Sequence, residues 1–265
     1  MKTISGICVC AGIAAGLVRW EEGHIPAAGG GEPAGSQEEL RRFEEAVCKV
    51  EQERIKLCDD VLKMSGEETA AIFQAHAIML RDETLAGPVR GRISSGCSAA
   101  QAVRLSFGEA AAIFDQMDDE YMKARGDDIR DLEKALLRAM SADQPDPAPA
   151  RTGKEAGPVL IAAVDFSPSE IASMDRENVL GIILQKGNTS GHAAIIARAM
   201  GIPMLVRCQE IDESCQGRRA VLDPEKGILY LDPDEDLFEN AQKQMAVRLE
   251  KRNGQSQEPG SGRER

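Results

Sequence analysis

The chain has 265 residues, 42% hydrophobic but only 3% aromatic, which is enough for two domains with separate cores. A formal net charge of -12 with no segregated basic patch argues against nucleic-acid binding and favours a basic macromolecular partner, if there is one. With no apolar run of about 20 residues, nothing is expected to span a membrane; seven cysteines, odd in number and without CxxC spacing, read as reduced thiols of a cytoplasmic protein and not as a zinc site.

In chain order, MKTISGICVCAGIAAGLVRW is mildly apolar like a signal peptide, but Gly6, Gly12 and Gly16 break the run, so a pair of strands is expected. A Pro/Gly/Ala-rich break follows from Ile25 to Gln37, and a second from Ser141 to Pro158. Between them the text is helical: Leu40, Phe43, Val47, Val50, Ile55, Leu57, Val61 and Leu62 recur near the helical period, and DEYMKARGDDIRDLEKALLRAM continues the style. After the second break, PVLIAAVDF, NVLGIILQ, PMLVR, RRAVLD and GILYLD read as strands interleaved with helices. The expected architecture is an α/β domain built from both chain ends, 1–24 and 157–235, with an all-helical domain inserted at 36–142. A linker helix from about Pro233 to Arg252 and a disordered tail complete the unit 236–265.

Two stretches point to chemistry. In DFSPSE, Ser167, Pro168 and Glu170 form a capping box with proline at the first helical position, directly after an apolar strand. Taken alone, such a box only keeps a helix from fraying. The second stretch, GNTSGHAAIIARAMGIP, places His192 among residues too small to enclose it, so its ring is accessible to an incoming group. A nucleophilic histidine needs one ring nitrogen open and the other held by a hydrogen bond that fixes the tautomer. Thr189 and Ser190 are expected to cap the helix that His192 begins, and the NH groups there favour anions. Arg198 lies off the face of His192 and is expected to pair with a carboxylate. A lone histidine in such a place can also be purely structural.

The string from Gly187 to Val206 resembles the phosphohistidine motif of the PEP-utilising enzymes, with Gly187, His192, Ala194, Ile195, Ala197, Arg198, Gly201, Ile202 and Pro203 on its fixed positions. ISGICVCAGIAAG, IFQAHAIMLRDETL, DDEYMKARGDDIRDLEKALLR and VDFSPSEIASM are similar, in order, to stretches of enzyme I of the sugar phosphotransferase system, over about residues 1 to 235. The resemblance implies an α/β phosphohistidine (swivelling) domain with an inserted all-helical domain. It implies that Nε2 of His192 carries a phosphoryl group while the Ser167 hydroxyl, a serine in place of the usual threonine, bonds the other ring nitrogen. Ser190 and Gly191 depart from the usual Thr-Ser before the histidine, and Thr69 stands where a basic residue is common.

In the insert, Ala71, Ile72, Ala75, Ile78 and Met79 form one helical stripe, with Phe73, Ala77 and Leu80 opposite. Two apolar faces mean complete burial or a partner. The resemblance assigns this stripe to the phosphocarrier HPr, through Glu67, Glu68, Ala71, Ile72, Ala75, Met79, Asp82, Glu83, Leu85, Phe114, Tyr121, Met122 and Arg125. His76 is expected to be structural and His24 exposed. The function so implied is phosphoryl transfer between His192 and HPr, as in phosphoenolpyruvate-protein phosphotransferase. The chain itself is expected to be monomeric and to need no cofactor or metal; Mg²⁺, phosphoenolpyruvate and dimerisation belong to a barrel domain that the sequence lacks. Two alternatives stay open: a catalytically impaired HPr-binding adaptor, and a phosphohistidine domain like that of pyruvate phosphate dikinase or PEP synthase.

Overall fold

The computed structural model describes residues 1–21, 34–141 and 157–255. His24, most of both Pro/Gly/Ala-rich breaks and the tail beyond residue 255 lie outside the described residues.

Eight strands form one mixed sheet: β1 (Lys2–Ser5), β2 (Ile7–Cys10), β3 (Ala14–Glu21), β4 (Val159–Ala163), β5 (Val179–Leu184), β6 (Met204–Val206), β7 (Arg219–Asp223) and β8 (Ile228–Leu231). The order is β1-β8-β7-β3-β4-β5-β6-β2, so both chain ends build the sheet. The amino-terminal run holds three strands, not the expected pair. β1 and β2 are adjacent in sequence yet sit at opposite edges, so the sheet must curl until its edges meet at Gly6. Only glycine fits there, because a Cβ on Gly6 would lie 2.5 Å from Cys208 Sγ and 3.0 Å from the Val206 carbonyl. β1 pairs only with β8 and β2 only with β6, so the two edges are joined through Gly6 and not by a ladder of their own.

The insert consists of α1 (Ser36–Ser65), α2 (Glu67–Met79), α3 (Glu83–Ser94), α4 (Ala99–Asp115) and α5 (Glu120–Met140). One core lies wholly among these helices, around Phe43, Val50, Val89, Ile93, Phe107, Leu132 and Leu136. A second core crosses between the two parts: Val61 of α1 and Ala70, Ile72 and Phe73 of α2 join Ile161, Ile171, Ala194 and Ile196. One face of α2 is therefore consumed by the α/β part. At about 1.5–3 kcal/mol for each fully buried large side chain, Ile72 and Phe73 strongly favour this docking.

On the sheet, α6 (Pro168–Ala172) follows β4 and α7 (His192–Met200) follows β5. β4 and β5 are parallel neighbours, so their carboxyl ends deliver the starts of α6 and α7 side by side, as in other open α/β sheets. The last helix, α8 (Glu235–Gln255), runs to Gln255 where Arg252 was the expected end; Phe238 and Ala241 bury against Ala15 and Val221. Among the described residues no helix is long and apolar enough to cross a membrane.

Candidate functional site

His192 is the first residue of α7, which starts at Gly191 without any side-chain cap. The expected capping by Thr189 and Ser190 is not what the chain does. Ser190 turns back instead, its backbone N–H and hydroxyl donating to Asn188 Oδ1 at 3.0 and 2.9 Å in a local Asx turn. Arg198 does not pair with a carboxylate; its Nη1 donates to the Thr189 carbonyl at 2.9 Å, tying the loop to the helix that follows it. Gly187 opens the loop at φ 108, a conformation that L side chains resist, and Val206 Cγ1 lies 3.0 Å from where its Cβ would be. Glycine, asparagine and arginine together thus fix how the histidine is presented.

The His192 ring points at the insert. Its Nδ1 lies 2.7 Å from Asp128 Oδ1 on α5, and its side chain keeps 19% of its exposure while that of Asp128 keeps 1%. A carboxylate only accepts, so Nδ1 must carry a proton, and in the neutral ring the lone pair is on Nε2. Burial pushes the Asp128 carboxyl up, but the hydrogen bond from His192, the close approach of His76 and the charge the two rings carry when protonated hold it below the usual carboxylate range overall. The partner expected for this ring nitrogen was the Ser167 hydroxyl, and the structure overturns that pairing. Ser167 caps α6, where its Oγ accepts from Glu170 N at 3.4 Å while Glu170 Oε2 accepts from Ser167 N at 2.8 Å. The remaining capacity of that hydroxyl meets Ser169 Oγ at 3.2 Å, and an ionised acceptor outcompetes a neutral one for the imidazole.

Behind Asp128 extends a buried polar cluster that the sequence reading missed. His76 of α2, fully buried, places Nε2 3.2 Å from Asp128 Oδ1 and Nδ1 3.8 Å from Asp131 Oδ2. Asp131 accepts from Ser169 Oγ at 2.6 Å and faces Arg54 Nη2 of α1 at 3.5 Å. Burial raises the Asp131 carboxyl, yet Arg54 and His76, with the Ser169 hydroxyl, bring it below its ordinary value. Arg138 of α5 also grips the Glu170 carboxylate that completes the α6 cap. The site is thus assembled across the boundary between insert and sheet, by α1, α2 and α5 on one side and α6 and α7 on the other.

A signal for these residues was present. Asp128 and Asp131 are three apart on α5 beside the buried Ile129 and Leu132, so two carboxylates interrupt the apolar side of an amphipathic helix. His76 similarly follows Ile72 and Phe73 on the inward side of α2.

The expected docking residues divide. Glu67, Glu68, Ala71, Asp82 and Glu83 are exposed; Ala75, Met79, Phe114, Met122 and Arg125 are half-buried. Ile72 and Leu85 are corrections: Ile72 is buried against the α/β part and Leu85 inside the helical core, because the inward stripe of each helix was needed for packing. Asp82 caps α3 by accepting from Thr84 N at 2.8 Å, and Glu83 accepts from Arg90 Nη1 at 2.7 Å. The side chain of Tyr121 lies outside the described residues.

The model of the N-terminal domain of PEP-utilising enzymes matches residues 5–125, and that of their mobile domain matches residues 155–227. The phosphoenolpyruvate-protein phosphotransferase of Bacillus subtilis is 33% identical over 236 residues, 88% of this chain and 40% of that protein. The protein of the same name from Haloferax volcanii is 32% identical over 244 residues, 91% of this chain and 42% of its own length. The chain thus spans about two fifths of the length of these relatives. An NMR solution structure of enzyme I (nEIt) superposes with a TM-score of 0.67 at 26% identity, covering 92% of this chain and 99% of that one. The N-terminal domain of enzyme 1 (nitrogen) superposes at 0.59 and 23% identity, a likeness of fold alone. The His192-bearing α/β unit and its helical insert therefore place this chain among the PEP-utilising enzymes, as a counterpart of the N-terminal domain of enzyme I.

Proposed function

We propose that His192 accepts and returns a phosphoryl group on Nε2, exchanging it with the histidine of the phosphocarrier HPr. One observation carries the reading: Asp128 holds Nδ1 at 2.7 Å, so in the neutral ring the lone pair stands on Nε2 of a side chain that is partly exposed. The bond made is Nε2–P, the bond broken is the N–P bond of the carrier, and no proton need move in the transfer. Asp128 keeps the ring oriented before and after, and its charge disfavours a dianionic group on the Nδ1 side. His192 is the first residue of α7, and the NH groups of that helix start favour the negative charge of a phosphoryl group held there. The rate enhancement then comes from alignment and electrostatics, with little acid–base work.

The exposed Glu67, Glu68, Asp82 and Glu83 give the outer side of α2 and the start of α3 a negative rim around Ala71 and Ala75, suited to a basic carrier. Thr189, Ser190 and Ser167 act through loop and cap geometry in this reading. The resemblance to enzyme I assigns phosphoenolpyruvate chemistry, Mg²⁺ and dimerisation to a further domain, outside the two fifths of the relatives' length that this chain spans. Incubation with labelled phospho-HPr should label His192, whereas phosphoenolpyruvate with Mg²⁺ should not, and His192→Ala should abolish labelling. Equal labelling of His192→Ala would refute the reading. Binding of HPr without phosphohistidine would favour the adaptor alternative.

A further inference from the structure

We infer that His76, Asp128 and His192 form a divalent-cation site, best matched to Zn²⁺, whose occupation shuts off chemistry at His192. One ligand atom from each of the three residues lies within 4.8 Å of the others. His76 is fully buried and neither of its ring nitrogens makes a hydrogen bond, although Nε2 aims at Asp128 Oδ1 from 3.2 Å. Asp128 Oδ2 is likewise buried without a partner. Such groups are expensive to leave unsatisfied.

The surroundings are those of a ligand set. Asp131 Oδ2 lies 3.8 Å from Nδ1 of His76, and a small approach would give the arrangement in which a carboxylate holds the proton on one nitrogen and turns the lone pair of the other toward a metal. In that tautomer the Nε2 lone pair confronts the Asp128 carboxylate, and a cation between them removes the repulsion. The charge agrees: with both imidazoles neutral, Asp128 and Asp131 are two carboxylates against the single guanidinium of Arg54, so the pocket is one positive charge short. Two imidazole nitrogens and one carboxylate oxygen, with a fourth position open, suit zinc. Zinc sits about 2.0–2.2 Å from such atoms, so its ligands stand no more than about 4.4 Å apart. The two rings, tilted 57° with centroids 6.4 Å apart, need only small rotations to close on it.

The consequence for His192 follows from proton bookkeeping and rests on the phosphoryl-transfer reading above. Zinc on Nδ1 displaces the proton that Asp128 accepted, and in a neutral ring that proton must go to Nε2. The lone pair that would attack phosphorus is then in an N–H bond. No proton leaves the ring overall, and chelation restores the active tautomer.

The test uses the full chain, reduced and stripped of metal, with Zn²⁺ alone as the probe and the imidazole ¹⁵N resonances as readout. One equivalent should shift both His76 and His192, and His76→Gln should weaken binding by more than the ~10–100-fold typical of losing a group that merely orients a ligand. Zinc should also slow phosphorylation of His192 by phospho-HPr at least tenfold, reversibly with EDTA. Zinc that binds while both rings stay unmoved, as it would on the exposed thiols of Cys8 or Cys48, overturns the site. So does a His76 ring that already carries protons on both nitrogens and keeps them under excess zinc. Because these ring shifts are read in the wild type, a misfolded variant cannot decide the outcome. Failure of the metal-free protein to take phosphate would sink the transfer reading and leave the ring measurement standing.

Discussion

The two sides of the α1–α2 pair use the same residue types to opposite ends. Facing the α/β part, Arg54 and His76, together with Asp128 and Asp131 of α5, are at most 3% exposed and meet His192 and Ser169. Facing outward, Arg81 in the turn after α2 joins Glu51 of α1 at 2.6 Å while half of its surface stays in water. In water an ion pair gains little, because solvation does nearly as well. In the interior each charge depends on its neighbours, and removing one leaves the rest uncompensated. The inner cluster therefore decides both how the insert seats on the sheet and which nitrogen of His192 is free.

Substitutions can break or sharpen this contrast. The largest effect is expected for Arg54→Met, which strands the Asp131 carboxylate and should cost about 3–5 kcal/mol in urea unfolding. A cost below 1 kcal/mol would mean that water reaches the cluster. Next comes Asp128→Asn, whose amide can donate to Nδ1 and so invert the tautomer; phosphorylation of His192 should slow by ~10²-fold or more with the fold retained by circular dichroism. Acid should act through the same carboxylate. The Asp128 carboxyl is depressed in the fold, so its contribution is fully present above the ordinary carboxylate range of about 4 and is lost as pH falls below that range through the lower folded value. The stability gap between wild type and Asp128→Asn should accordingly shrink on acidification below about pH 4. The smallest effect belongs to the outer face, where Arg81→Gln should cost no more than about 1 kcal/mol and less in high salt.

Much of the architecture was legible because it is periodic. The five later strands, the long α1 and the capping box at Ser167 all follow from apolar spacing and end signals that the fold respects. The closure at Gly6 was not, since one residue joining opposite sheet edges leaves no local periodicity. His192 stood out through small neighbours, and Gly187 through its place in the motif. Its partner was misassigned because an acceptor 64 positions away competes with Ser167 only in three dimensions. Ile72 and Leu85 were placed on a surface because apolar residues at helical spacing look the same whether they meet a core or a carrier.

The central claim is most directly tested by ³¹P–¹⁵N correlation on protein phosphorylated with phospho-HPr. The account predicts a single phosphorus bonded to Nε2 of His192, with a proton on Nδ1 that is lost from the spectrum in Asp128→Asn. Phosphorus on Nδ1, or on any residue other than His192, would contradict it.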